Sequence, residues 1–157
     1  MQIRPYSIRD ECAVVGVWHR AGLIAYPFLP QFQALTLELA RDVFREIIVS
    51  SNDLWVAVVD ERPVGFLAMQ LDFIDRLYVD PPYQRRNVGT QLLDFAKRMH
   101  PKGLKLYTHQ ENHPARAFYE KHGFVAVRFG ISPPPESAPD VEYHWAGTAG
   151  EGHKLGP

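Results

Sequence analysis

The residues best suited to chemistry in this 157-residue chain lie between Ile74 and Leu93. An extended run ends at Asp80-Pro81-Pro82, and the polar turn Gln84-Arg85-Arg86-Asn87 opens directly into an apolar-periodic segment. The first turn of a helix has backbone N–H groups without intrahelical partners and carries the positive end of the helix dipole. Asn87 and Gly89 at such a start let a phosphate come close to the backbone, and Arg85 and Arg86 add positive charge. The arrangement suits an anion, with pyrophosphate as the natural ligand. It is neither a Walker A loop nor a G-x-G-x-x-G fingerprint. On these residues alone, an ordinary strand-to-helix turn with solvated arginines stays open.

Other candidates carry weaker signals. Tyr119 shares a helix face with Ala115, Phe118 and His122, a pattern that by itself reads as packing. Asn112, two residues before Pro114, reads as a helix N-cap. His109 and His113 fall at a strand end and a helix start, so no metal site is expected from them. Cys12 sits at a core spacing, and Trp18, His19 and Tyr26 are candidates either for a pocket or for packing.

The elements that must position these groups follow from periodicity. Gln2–Pro5 reads as a strand, and Ser7 with Asp10 marks a helix start. Ile8, Cys12, Val15 and Trp18 then form one stripe, and Leu37, Ala40, Phe44 and Ile47 another. Leu54–Val59 and Val64–Gln70 flank a hairpin turn at Asp60–Pro63, and Phe73–Val79 is a third run. A helix with Val88, Leu92, Phe95, Ala96 and Met99 on one face follows. Leu104–Thr108, Ala115–His122 closed by Gly123, Phe124–Phe129 and Val141–Trp145 complete the order. Alternation in the second half implies a central sheet with covering helices and locally parallel strands. Residues 1–146 are expected to form one domain, and the glycine-rich 147–157 a disordered tail.

Composition narrows the setting. A net charge of −1 argues against a nucleic-acid binder. One cysteine forms no internal disulfide, and no apolar run reaches the roughly 18–20 residues of a membrane span. The N-terminus lacks a signal-peptide core. A cytoplasmic protein that binds neither membrane nor nucleic acid is expected.

Gln84-Arg-Arg-Asn-Val-Gly89-Thr90 resembles the Gln/Arg-x-x-Gly-x-Gly/Ala signature of the GNAT superfamily of N-acetyltransferases, and Leu77–Pro81 resembles the strand before it. Asn112-His-Pro-Ala-Arg-Ala-Phe-Tyr-Glu-Lys-His-Gly-Phe124 is similar to the family's second block. The two blocks stand in the family's order and separation and span about Phe73–Val127. The resemblance implies an α/β (α+β) fold: a central mixed, mostly antiparallel twisted sheet of six to seven strands flanked by about four helices. It implies acetyl transfer from acetyl-CoA, without a metal, to a primary amine of a small molecule or a peptide acceptor. The backbone of Leu77, Tyr78 and Val79 would pair with the pantetheine arm. Gln84, Arg85, Arg86, Asn87, Val88, Gly89 and Thr90 would wrap the pyrophosphate, and Asn112 would touch coenzyme A. Tyr119 would be the general acid. Asp75, His109, Glu111 or a water chain would take the amine's proton, with Trp18 near the acceptor. A homodimer is compatible with the family, as are a silent acyl-CoA-binding module and a longer acyl donor. Asn87 departs from the family by replacing its first signature glycine; asparagine tolerates positive φ, so the loop shape is expected to survive with modestly weaker cofactor affinity.

Overall fold

The computed structural model describes residues 1–148, so nearly all of the expected tail 147–157 lies outside the described residues. Its strands are β1 (Gln2–Pro5), β2 (Asp53–Val59), β3 (Arg62–Gln70), β4 (Phe73–Val79), β5 (Leu104–His109), β6 (Val125–Ile131) and β7 (Pro139–Trp145). The helices are α1 (Glu11–Ala25), the single turn α2 (Pro30–Gln33), α3 (Leu37–Val43), α4 (Val88–Met99) and α5 (His113–Lys121). The strands form one mixed sheet in the order β1-β2-β3-β4-β5-β7-β6. The β4–β5 pair is parallel, with Phe73 opposite Lys105 and Ile74 opposite Leu106. The pairs β1–β2, β2–β3, β5–β7 and β6–β7 are antiparallel. The expected fold class is therefore the observed one, with five helices.

The chain divides into two compact units, Met1–Leu71 with Asp75–Asp94, and Asp72–Ile74 with Phe95 onward. In the first, α1 lays Val14, Val15, Val17 and Trp18 against Phe44, Val56 and Phe66. Phe44 is fully buried and meets Phe66 edge-on, with ring centroids 5.8 Å apart. Truncating it to alanine costs about 3–5 kcal/mol. Asp60 and Glu61, with φ of 50° and 64°, make the β2–β3 turn a two-residue hairpin. Ser7 and Asp10 pair as the sequence suggests, but around the 3-10 turn Ile8–Asp10 that leads into α1: Asp10 accepts from the Ser7 N–H at 2.9 Å and from both Arg4 Nη atoms at 2.8 and 2.9 Å. Arg4 holds its carboxyl below the ordinary range against the opposing effect of burial. That contribution to stability is present above the unfolded carboxylate pKa and is lost as pH falls through the lowered one.

Four expected core positions face outward. Ile8 is exposed because Ile8–Asp10 is a 3-10 turn, which breaks the helical phase before α1 begins, and Cys12 is exposed in the first turn of α1. Phe44–Val49 is a π-helix, and its wider turn carries the inward position from Ile47 to Ile48. Leu37 is likewise exposed, at the first turn of α3.

In the second unit, Leu104, Leu106, Val141 and Tyr143 are buried with Tyr119 and Phe124. The end of α5 is a Schellman cap. Gly123, at φ 88°, donates to the Glu120 carbonyl at 3.2 Å, and Phe124 donates to the Tyr119 carbonyl at 3.0 Å. Lys97 Nζ donates to the His122 carbonyl at 2.6 Å and stands 4.9 Å from the Trp145 ring centroid. Gly147, assigned to the tail by the sequence, is buried at φ 83°, and Thr148 donates its N–H to the Pro101 carbonyl at 2.9 Å.

Candidate active site

In the first unit, the end of β4 is tied down before the loop begins. Asp80 donates its N–H to the Val64 carbonyl at 2.8 Å, and its buried carboxylate accepts from Arg20 of α1 at 2.9 and 3.0 Å. Pro81–Tyr83 then makes one 3-10 turn. Gln84 folds back, donating its Nε2 to the Val79 carbonyl at 3.0 Å, so this signature side chain closes the loop on its own strand. Arg85 and Asn87 stand at φ of 63° and 64°. The left-handed conformation foreseen for Asn87 is thus present, and a second one, at an arginine, was not foreseen. Arg86 stacks its guanidinium 5.6 Å from the Tyr83 ring centroid. The Asn87 carbonyl accepts the first α4 bond from Gln91 at 3.0 Å. Val88 and Gly89 are thus the first two helical residues, and their amides have no acceptor within the helix. Four exposed residues, Gln84 to Asn87, two of them arginines, precede those amides.

On β4 itself, Leu77, Tyr78 and Val79 lie beyond the two registered pairs with β5. The Tyr78 ring stacks on Phe66 at 5.6 Å, and its hydroxyl is hydrogen-bonded to that of Tyr26. Arg76, which strand reasoning passed over, is drawn inward: its Cζ stands 5.8 Å from the Trp18 ring centroid. The available signal was alternation alone, since inward positions at Ile74 and Tyr78 place position 76 inward too. Trp18 is buried, and Asp75 accepts from Asn52 Nδ2 at 2.8 Å. His19 Nε2 contacts the Leu35 carbonyl oxygen at 2.7 Å and its ring stacks on Phe32, a packing role.

In the second unit, Asn112 is the N-cap of α5. Its Oδ1 accepts from the Ala115 N–H at 3.3 Å, with Pro114 in the first turn. Tyr119 is buried among Phe118, Phe124 and Tyr143, with ring centroids 5.2, 5.6 and 6.4 Å away. The Tyr143 hydroxyl donates to Glu120 at 2.6 Å and accepts from Arg116 at 3.1 Å. Burial, the largest cause, raises the Tyr143 pKa. His109 Nε2 lies 3.3 Å from Glu136. A surface cavity of about 530 Å³ is lined by Lys102, Lys105, His144 and Trp145 among others, and Gly123 is its single lining residue from either signature block. Among the described residues no group of three His, Cys, Asp or Glu side chains gathers to hold a metal, and no helix is long and apolar enough to cross a membrane.

A mixed sheet whose fourth strand turns through left-handed residues into a glycine-bearing helix start defines an acetyltransferase architecture. The family model of the acetyltransferase (GNAT) domain matches residues 50–126. Peptidyl-lysine N-acetyltransferase YjaB of Salmonella typhimurium is 32% identical over 113 residues, 71% of this chain and 74% of that protein. Spermidine N(1)-acetyltransferase of Thermoplasma acidophilum is 28% identical over 142 residues, 79% of this chain and 88% of that one. The solution structure of apo YjaB from Escherichia coli superposes with a TM-score of 0.79 at 26% identity, covering 93% of this chain and 97% of that one. The chain belongs to the GNAT family and is an N-acetyltransferase.

Proposed function

We propose that this enzyme transfers acetyl from acetyl-CoA directly to a primary amine of a small-molecule or peptide acceptor, with both reactants bound together. The observation that carries the reading is the start of α4: two left-handed residues, two exposed arginines, and a glycine at the second helical position. That start offers amide N–H groups and positive charge to a pyrophosphate without a side chain in the way. Arg85–Thr90 would hold the pyrophosphate, with Gln84 bracing the loop. Leu77–Val79, beyond the registered β5 pairs, would offer backbone groups to the pantetheine amides. An N–H near Val79 would stabilise the oxyanion that forms at the thioester carbonyl. Asn112, its Oδ1 committed to the cap, would approach the cofactor through Nδ2.

Coenzyme A supplies the activated thioester; the chain's residues hold it, bring the amine to it and manage two protons. The amine nitrogen bonds to the carbonyl carbon, the C–S bond breaks, and the Tyr119 hydroxyl gives its proton to the departing thiolate. Asp75, oriented by Asn52, and His109, beside Glu136, are the candidates for the amine's proton. Holding both reactants supplies much of the rate. A homodimer and a cytoplasmic home belong to the same proposal. Thiol release from acetyl-CoA with a panel of amines, amino acids and peptides is the test. Release above hydrolysis with at least one acceptor is expected. None with any acceptor, alongside intact cofactor binding, would make the chain a silent acyl-CoA-binding module.

A further inference from the structure

We propose that Arg76, set between Trp18 and the Tyr26–Tyr78 hydroxyl pair, anchors a carboxylate on the acceptor, so that the amine acetylated belongs to an amino-acid-like molecule. This rests on the acetyl-transfer reading above.

Arg76 is a cation with donors to spare. A guanidinium has five N–H groups in a planar fork. Its side chain is 29% exposed, yet Nε is closed off from solvent and has no hydrogen-bond partner. The Asp75 Oδ2 atom is 3.6 Å from that Nε, beyond hydrogen-bond length, and is already taken by Asn52. The Nε1 of Trp18 is likewise buried without a partner. Burial works against the charge; the charges of Tyr78, Asp75 and Tyr26, with a side-chain hydrogen bond to Tyr78, outweigh it and hold the Arg76 pKa above its ordinary value. A half-buried guanidinium that lacks a hydrogen-bonded carboxylate is poorly satisfied by protein alone.

Its position gives the ligand a role. A Cβ on Gly65 would meet Leu92 and Val88 at 3.2 and 3.3 Å, so that face of β3 is pressed against α4. Phe66, the next residue, points to the opposite face, where Tyr78 stacks on it and Arg76 lies over Trp18 of α1. The cofactor loop opens on the α4 face, so Arg76 stands on the far face of the strand. An amine attacking a thioester laid along that strand approaches from there. A planar fork recognises a carboxylate bidentately. The same charge repels a second ammonium, which sets polyamines such as spermidine against the site.

The test uses the full-length protein saturated with coenzyme A, titrated calorimetrically with L-lysine, L-glutamate and L-methionine and with the α-carboxamide of each. At least one amino acid should bind at least about tenfold tighter than its carboxamide. Arg76→Gln should erase that difference and Arg76→Lys should keep part of it, with coenzyme A affinity unchanged in both. In acetyl transfer, Arg76→Gln should raise the KM of the carboxylate-bearing acceptor about tenfold with kcat near wild type. Equal affinity for acid and amide across the panel, or a preference that survives Arg76→Gln, overturns the proposal. The wild-type acid–amide comparison decides it even where a variant fails to fold. Carboxylate-selective binding without thiol release sinks the acetyl-transfer reading and leaves the Arg76 subsite in place.

Discussion

Two strands in this molecule run through a short turn into a helix, and the two helix starts are built differently. At α4, the second helical residue is Gly89, reached through left-handed Arg85 and Asn87. At α5, the second helical residue is Pro114, and Asn112 spends its Oδ1 on the Ala115 amide. Glycine keeps its N–H and adds no bulk, whereas proline has no N–H to offer. Both turns contain asparagine, yet one asparagine shapes the backbone while the other caps it. A helix dipole alone therefore does not make an anion site; the residues of the first turn decide which end is open. On this reading α4 contributes its terminus to the chemistry, and α5 contributes a side chain, Tyr119.

Four substitutions would break or sharpen that contrast. Tyr119→Phe should lower kcat by on the order of 10²-fold with acetyl-CoA affinity unchanged; wild-type turnover would reduce α5 to packing. Gly89→Pro makes α4 resemble α5 at its second position, which α5 shows a helix of this protein tolerates. It should weaken acetyl-CoA about 10- to 100-fold by titration, through loss of one amide donor to a charged oxygen, while the melting temperature moves little. Unchanged affinity would mean that the anion does not sit there. Asn112→Ala should cost about 1 kcal/mol of folding stability in a denaturant series. A loss near zero would show that the cap is not what holds that start. The smallest effect is expected from Asn87→Gly, which removes a left-handed asparagine where the family carries glycine. Its acetyl-CoA affinity should equal or slightly exceed wild type, and a clear weakening would give the Asn87 side chain a direct part in binding.

Much of this was legible in the chain. The bounds of β4 are those the sequence suggests, because Asp80-Pro81-Pro82 ends the run sharply. The α4 stripe of Val88, Leu92 and Ala96 is buried as its spacing requires. What escaped depends on departures from ideal geometry or on contacts far apart in sequence. A 3-10 turn exposes Ile8, and a π-helix trades Ile47 for Ile48; neither has a period that a helical template detects. The inward Arg76 is masked because a charged residue in a strand reads as solvent-facing. The bond between Arg20 and Asp80 joins residues 60 apart, and no local pattern announces it.

That bond also bears on timing. Arg20 belongs to the helix that carries Trp18 and leads into Tyr26, and Asp80 is the first residue of the proposed cofactor loop. Whatever steadies the loop therefore steadies the middle of α1, because opening one end requires releasing a buried carboxylate at the other. Amide hydrogen exchange makes the link visible. Saturating acetyl-CoA should slow exchange around Val17–Ala21 as well as in the loop, and Arg20→Ala should confine the protection to the loop. In such a protein, the arrival of the donor would already prepare the ground on which the acceptor lands.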